Sequence, residues 1–143
     1  MKNIKLKYVI TILLMLSGIM AICFDSLSKG FVTFAPYGVD EYVYLRDMQG
    51  SSDDDSVLIG FFGIISIIIS IIIFFIKNVI YVVRIGFLTF LFLFIMALLT
   101  GNDPINQLVI NTIQYDHNIY LILWCTFLFF YTIFLVVLNI KQK

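Results

Sequence analysis

The chain has 143 residues, 62% of them hydrophobic and only 13% charged. That is too little charge to coat a soluble domain of this size. A formal net charge of zero with no basic stripe also gives nucleic acid nothing to bind. The apolar residues come in blocks instead of at an amphipathic period, which describes one membrane domain with a modest loop and no separate soluble domain.

The charges are separated along the sequence. All nine acids (Asp25, Asp40, Glu41, Asp47, Asp53, Asp54, Asp55, Asp103 and Asp116) fall in two segments. Lys2, Lys5, Lys7, Lys77, Arg84, Lys141 and Lys143 flank the apolar stretches on the other side. By the positive-inside rule this predicts four crossings with both termini cytoplasmic. The expected fold is an all-α integral membrane protein: a four-transmembrane-helix bundle with a short β-like outer loop and a short amphipathic surface helix. The abundance of Ile, Phe, Lys and Asn suggests a bacterial cytoplasmic (inner) membrane.

The first predicted crossing is 8–24. Tyr8 to Cys23 rises only about 24 Å, short of the ~30 Å hydrocarbon core, and Phe24 and the stem of Lys7 extend it at the interfaces. A cleaved signal peptide is the rival reading of this stretch: basic start, apolar run, then small residues at Ala21 and Cys23. A lipoprotein cut before Cys23 fits less well, because Ile22 is bulky.

The outer loop, 25–55, holds seven of the acids against Lys29 and Arg46. Phe31–Phe34 and Tyr42–Leu45 are aromatic and β-branched, with Pro36, Gly38 and Asp40 between them, so they read as two strands. Two strands alone are marginal in water and need the bundle top, the surface helix or another protein against one face. Phe31, Phe34, Tyr37, Tyr42 and Tyr44 are candidate aromatic anchors for a partner, and Asp40, Glu41 and Asp47 would steer a basic one. The plainer alternative is a folded lid whose aromatics meet headgroups and each other. Asp53–Asp55 suits a helix N-terminus; it lacks the spacing of a calcium loop, so no metal is expected there.

The second crossing, 56–76, spans about 31 Å. Gly60, Gly63, Ser66 and Ser70 recur on one helical face with Ser56, a small-residue seam that admits a close neighbour. The seam serves either packing inside the bundle or a homodimer. Lys77 and Asn78 then make a tight turn into the third crossing, 79–100. Arg84 lies only ~8 Å from that turn, within reach of the headgroups by snorkelling, so it reads as a topology residue.

In the second outer segment, 101–118, Asp103-Pro104 reads as a cap and first turn. Ile105, Leu108, Val109, Thr112 and Ile113 then recur at helical spacing, predicting a surface helix. The fourth crossing is 119–140, with Tyr120 and Trp124 as expected interface aromatics.

Catalytic chemistry lacks its usual residues. No G-x-S-x-G, H-E-x-x-H or C-x-x-C occurs, and no apolar stretch contains Asp, Glu or His for a protease or proton relay. His117, the lone histidine, reads as a solvated loop residue. By their depths Cys23 and Cys125 do not match for a disulfide and read as small packing residues. No cofactor is expected. The expected partners are the lipid bilayer and another membrane or secreted protein. The sequence therefore points to a non-catalytic binding, accessory or immunity-type membrane protein acting through its outer loop and helix faces. The alternative is an oligomeric channel or small-solute transporter component assembled through the Gly60–Ser70 face.

Overall fold

A computed structural model describes residues 2–24, 32–34, 42–44, 54–99, 110 and 112–141. The chain is mostly helical. In order it comprises helix α1 (Lys2–Cys23), strands β1 (Val32–Phe34) and β2 (Tyr42–Tyr44), helices α2 (Asp54–Phe75) and α3 (Val79–Leu99), a π-helical turn (Thr112–Asp116) and helix α4 (Ile119–Ile140). Two helical segments, Ile4–Cys23 and Ile119–Ile140, are long and apolar enough to cross a membrane. Shorter apolar stretches occupy Ile59–Phe75 of α2 and Val79–Phe92 of α3.

Helix α1 starts six residues before the apolar stretch predicted at 8–24. Lys2, Lys5 and Lys7 are good helix formers and nothing in this stretch breaks the backbone ladder. Helix α2 likewise starts at Asp54, where carboxylates are favourable against the N-terminal end of the helix dipole. It ends one residue before the predicted 76, and Ile76–Asn78 form the non-helical turn. The Asn78 side chain accepts the Ile80 N–H at 3.0 Å, an N-cap that starts α3. Helix α4 starts the same way: Asn118 has an extended backbone and its side chain accepts the Leu121 N–H at 3.2 Å. Just before it His117 adopts φ 50°, the left-handed conformation that turns the chain out of the π-helical segment and into α4.

The centre of the molecule is α1. Its broad contacts are with α2 and α4, whereas α3 touches α1, α2 and α4 more narrowly. Short hairpin connections would have made α2 and α3 the main pair, but the small residues that permit close approach lie elsewhere. Helices α1 and α2 run antiparallel, and at their crossing Gly18 faces Gly63. A Cβ on either would stand 2.7 Å from the carbonyl oxygen of the other, so only glycine at both positions lets the two backbones come this close.

Two apolar clusters lie at the two ends of the bundle. One gathers Ala21, Phe24, Ile59, Phe62, Leu121 and Trp124. The other gathers Ile10, Leu14, Ile73, Val82, Tyr131 and Leu135 with their neighbours. Trp124 is only 8% exposed. The sequence expects it at a lipid interface; it is buried instead, in the cluster that joins α1, α2 and α4. Tyr120 is half-buried against the same cluster.

Between the ends the outward faces are apolar. Ile64 and Ile68 of α2, Leu88 and Leu91 of α3, and Phe129 and Ile133 of α4 are all exposed. Cys23 and Cys125 are free thiols, each half-buried.

Candidate functional site

Three of the five aromatics singled out as anchors lie in the strand pair. β1 and β2 are antiparallel, with Val32 opposite Tyr44, Thr33 opposite Val43 and Phe34 opposite Tyr42. Because alternate residues of a strand belong to opposite faces, this register puts Phe34, Tyr42 and Tyr44 at positions of one face, with Val32. β1 lies beside the π-helical turn Thr112–Asp116, so the two acidic segments of the sequence meet there. Phe31, Tyr37, Asp40, Glu41 and Asp47 lie outside the described residues.

The surface helix expected from Pro104 onward also lies largely outside them. Where the chain is described, Ile110 is helical and exposed, and Thr112–Asp116 form the wider π turn. Thr112 is fully buried and Ile113 packs on the Trp124 cluster, while Gln114 faces out. This segment therefore covers that end of the bundle. His117 is exposed, and its Nδ1 lies 3.1 Å from the Ile113 carbonyl oxygen, closing the turn locally.

The seam residues Gly60, Gly63, Ser66 and Ser70 are all buried. Around the Gly18–Gly63 contact, Ala21 approaches Gly63 as well. The seam thus meets small residues of α1 within the same chain. Gly18 was the half of this contact that sequence reading missed. The signal was present as Ser17-Gly18 in a stretch otherwise made of large apolar residues.

At the opposite end of the bundle the basic residues gather. Lys7 is 6% exposed. Its ammonium donates to the carbonyl oxygens of Phe74, at 2.8 Å, and of Ile76. A helix leaves its last carbonyls without backbone partners and carries partial negative charge there; Lys7 satisfies both. The Tyr8 ring beside it packs against Phe74, with centroids 5.9 Å apart. Sequence reasoning gave Lys7 a snorkelling role and did not foresee that the antiparallel α1–α2 pair turns it into a C-cap.

Arg84 is exposed, and its guanidinium lies 6.0 Å from the centre of the Tyr81 ring one turn earlier. Helical side chains lean toward the N-terminus of their helix, so the charge is carried back toward the Lys77–Asn78 turn. Beside it, α3 and α4 leave an open groove of about 470 Å³ lined by Val83, Arg84, Phe87, Leu88, Leu91 and Asn139.

Polar groups along the helices are satisfied locally. Ser17, Ser70, Thr89, Thr126 and Thr132 each donate to a carbonyl of their own helix, at 2.7–2.8 Å. The Tyr131 hydroxyl donates across helices to the Gly86 carbonyl oxygen at 3.2 Å. Among the described residues no group of three or more His, Cys, Asp or Glu side chains is placed to hold a metal. What this arrangement offers chemically is surface: an apolar girdle and a basic end, with a strand pair at the other end.

No protein-family model matches the chain, and neither a curated protein nor a solved structure matches it.

Proposed function

We propose that this is a four-crossing membrane protein that acts without catalysis, as a binding, accessory or immunity-type protein whose outer loop engages another membrane or secreted protein. Its termini and the 76–78 turn face the cytoplasm of a bacterial cell, in the inner membrane. The four helices of 21 or 22 residues each rise about 32 Å, the thickness of a hydrocarbon core. The apolar girdle and the basic end at Lys7, Lys77, Arg84 and Lys141 support this orientation.

The observation that carries the binding reading is the register of the outer strands. It brings Phe34, Tyr42 and Tyr44 to positions of one face, in a segment whose sequence is acidic and longer than a plain connection requires. Aromatic residues anchor protein interfaces, and the acids in the 25–55 sequence would favour a basic partner. The experiment is crosslinking capture from membranes of the native host, comparing the wild type with a Phe34→Ala, Tyr42→Ala, Tyr44→Ala variant. With anchors worth roughly 1–2 kcal/mol each, the variant loses tenfold or more of its captured partner. Unchanged capture would remove the loop from consideration.

The alternative, an oligomeric channel assembled through Gly60–Ser70, gains no support. At Gly63 the seam is occupied by α1, and the hydroxyls of Ser70, Thr89 and Thr126 are bonded to carbonyls of their own helices.

A further inference from the structure

We infer that the α3–α4 groove is a binding site for an anionic phospholipid, with the headgroup phosphate on Arg84 and Asn139 and an acyl chain along Phe87, Leu88 and Leu91. The inference rests on the membrane reading above.

The lining is graded along one direction. Val83, Arg84 and Asn139 stand at its basic-end mouth, and Phe87, Leu88 and Leu91 continue from it along α3. Successive positions three and four apart lie above one another on a helix, so the apolar lining forms a strip parallel to the helix axis, as an acyl chain would lie. The groove is shallow and open along its side, as a site that takes an acyl chain from the bilayer would be.

Charge complementarity selects the occupant. The Arg84 guanidinium is exposed beside the Tyr81 ring and meets no carboxylate among the described residues. The described acids, Asp54, Asp55 and Asp116, lie at the N-terminus of α2 and just before α4, the far ends of those helices from Arg84. A guanidinium presents a planar fork of donors that matches a phosphate, and the Asn139 amide can add a further donor. Basic pockets between helices at the cytoplasmic side are suited to anionic headgroups. A zwitterionic lipid would bring its own cation to a mouth already positive.

The test is native mass spectrometry of delipidated protein in detergent, mixed with phosphatidylglycerol or phosphatidylcholine. The wild type retains phosphatidylglycerol preferentially. Arg84→Gln lowers that retention about fivefold, the effect of one basic residue at a membrane surface. Leu88→Trp, which fills the groove and keeps the charge, lowers it as well. Lys77→Gln, a base of the same end outside the groove, leaves it unchanged. Equal retention of the two lipids by the wild type, or a loss in Lys77→Gln as large as in Arg84→Gln, would overturn the site. Carbonate extraction of cell membranes separates this from the reading beneath it. Release of the wild type by carbonate contradicts the membrane reading and the groove together. Resistance to carbonate without lipid preference overturns the groove alone.

Discussion

Gly18 and Gly63 meet backbone to backbone: each would place a Cβ 2.7 Å from the carbonyl oxygen of the other. In lipid, helix association depends on close van der Waals packing more than on expulsion of water, so this contact determines how tightly α1 and α2 pack. Gly18→Ala and Gly63→Ala each force the helices apart and are expected to destabilise by about 1–3 kcal/mol, the usual cost of overpacking. Denaturation in detergent measures the change. A fully retained stability in both variants would mean that the backbones do not touch as described.

Lys7 caps α2 from another helix. Replacing it with methionine preserves the length of the side chain and removes both bonds to Phe74 and Ile76. Hydrogen bonds to charged groups contribute about 1.5–3 kcal/mol each in favourable settings, less where water or headgroups can substitute. Lys7→Met should therefore lower stability by about 1–3 kcal/mol. Lys5→Met is the comparison, since Lys5 is exposed two residues earlier, on the opposite side of α1; it should leave unfolding nearly unchanged.

The contact between α3 and α4 depends on Gly86 and Tyr131. Tyr131 is 1% exposed, and its hydroxyl bonds the Gly86 carbonyl oxygen. Tyr131→Phe removes that bond with little change in shape, at an expected cost of about 0.5–1.5 kcal/mol. Because α3 is the least extensively packed of the long helices, the loss should register first as faster amide hydrogen exchange in residues 82–89. Equal slowing or quickening throughout the bundle would assign Tyr131 to global stability instead.

Asn118 starts α4 by accepting the Leu121 N–H. Asn118→Ala should cost about 1 kcal/mol, and Asn118→Ser a few tenths at most, since serine caps nearly as well. Thermal unfolding of the two variants side by side distinguishes a capping role from general packing at this position.

Reconstituted in liposomes, the protein is expected to give no conductance or solute flux above empty vesicles at varied pH and voltage. Flux that Gly63→Leu abolishes would favour the channel reading over the binding one.

Helix positions were legible in the sequence because long apolar blocks have few alternatives. The predicted 119–140 and 79–100 differ from α4 and α3 by at most one residue. The partnering of the helices was not legible, since it depends on which small residues face each other: the Gly60–Ser70 seam could be read, but its match at Gly18 emerges only when α1 lies antiparallel to α2. Trp124 went astray for a related reason. Position near a helix end suggests an interface aromatic, whereas its neighbours in space, Ala21 and Ile59, are remote in sequence. Lys7 was read as a snorkelling interface residue because its acceptors are backbone carbonyls, which carry no signature in the sequence. The two strands were legible from β-branched and aromatic residues on both sides of a turn-rich stretch, whereas the register that sets Phe34 opposite Tyr42 was not.

The account depends most directly on topology. With Cys23 and Cys125 replaced by alanine, single cysteines are introduced as Ser52→Cys and Asn106→Cys in the acidic segments, and as Asn78→Cys and Lys141→Cys at the basic end. Intact cells are then treated with a membrane-impermeant maleimide. The account predicts labelling at 52 and 106, with 78 and 141 labelled only after permeabilisation. No labelling at 52 and 106 from outside, or labelling of all four positions in intact cells, would contradict it.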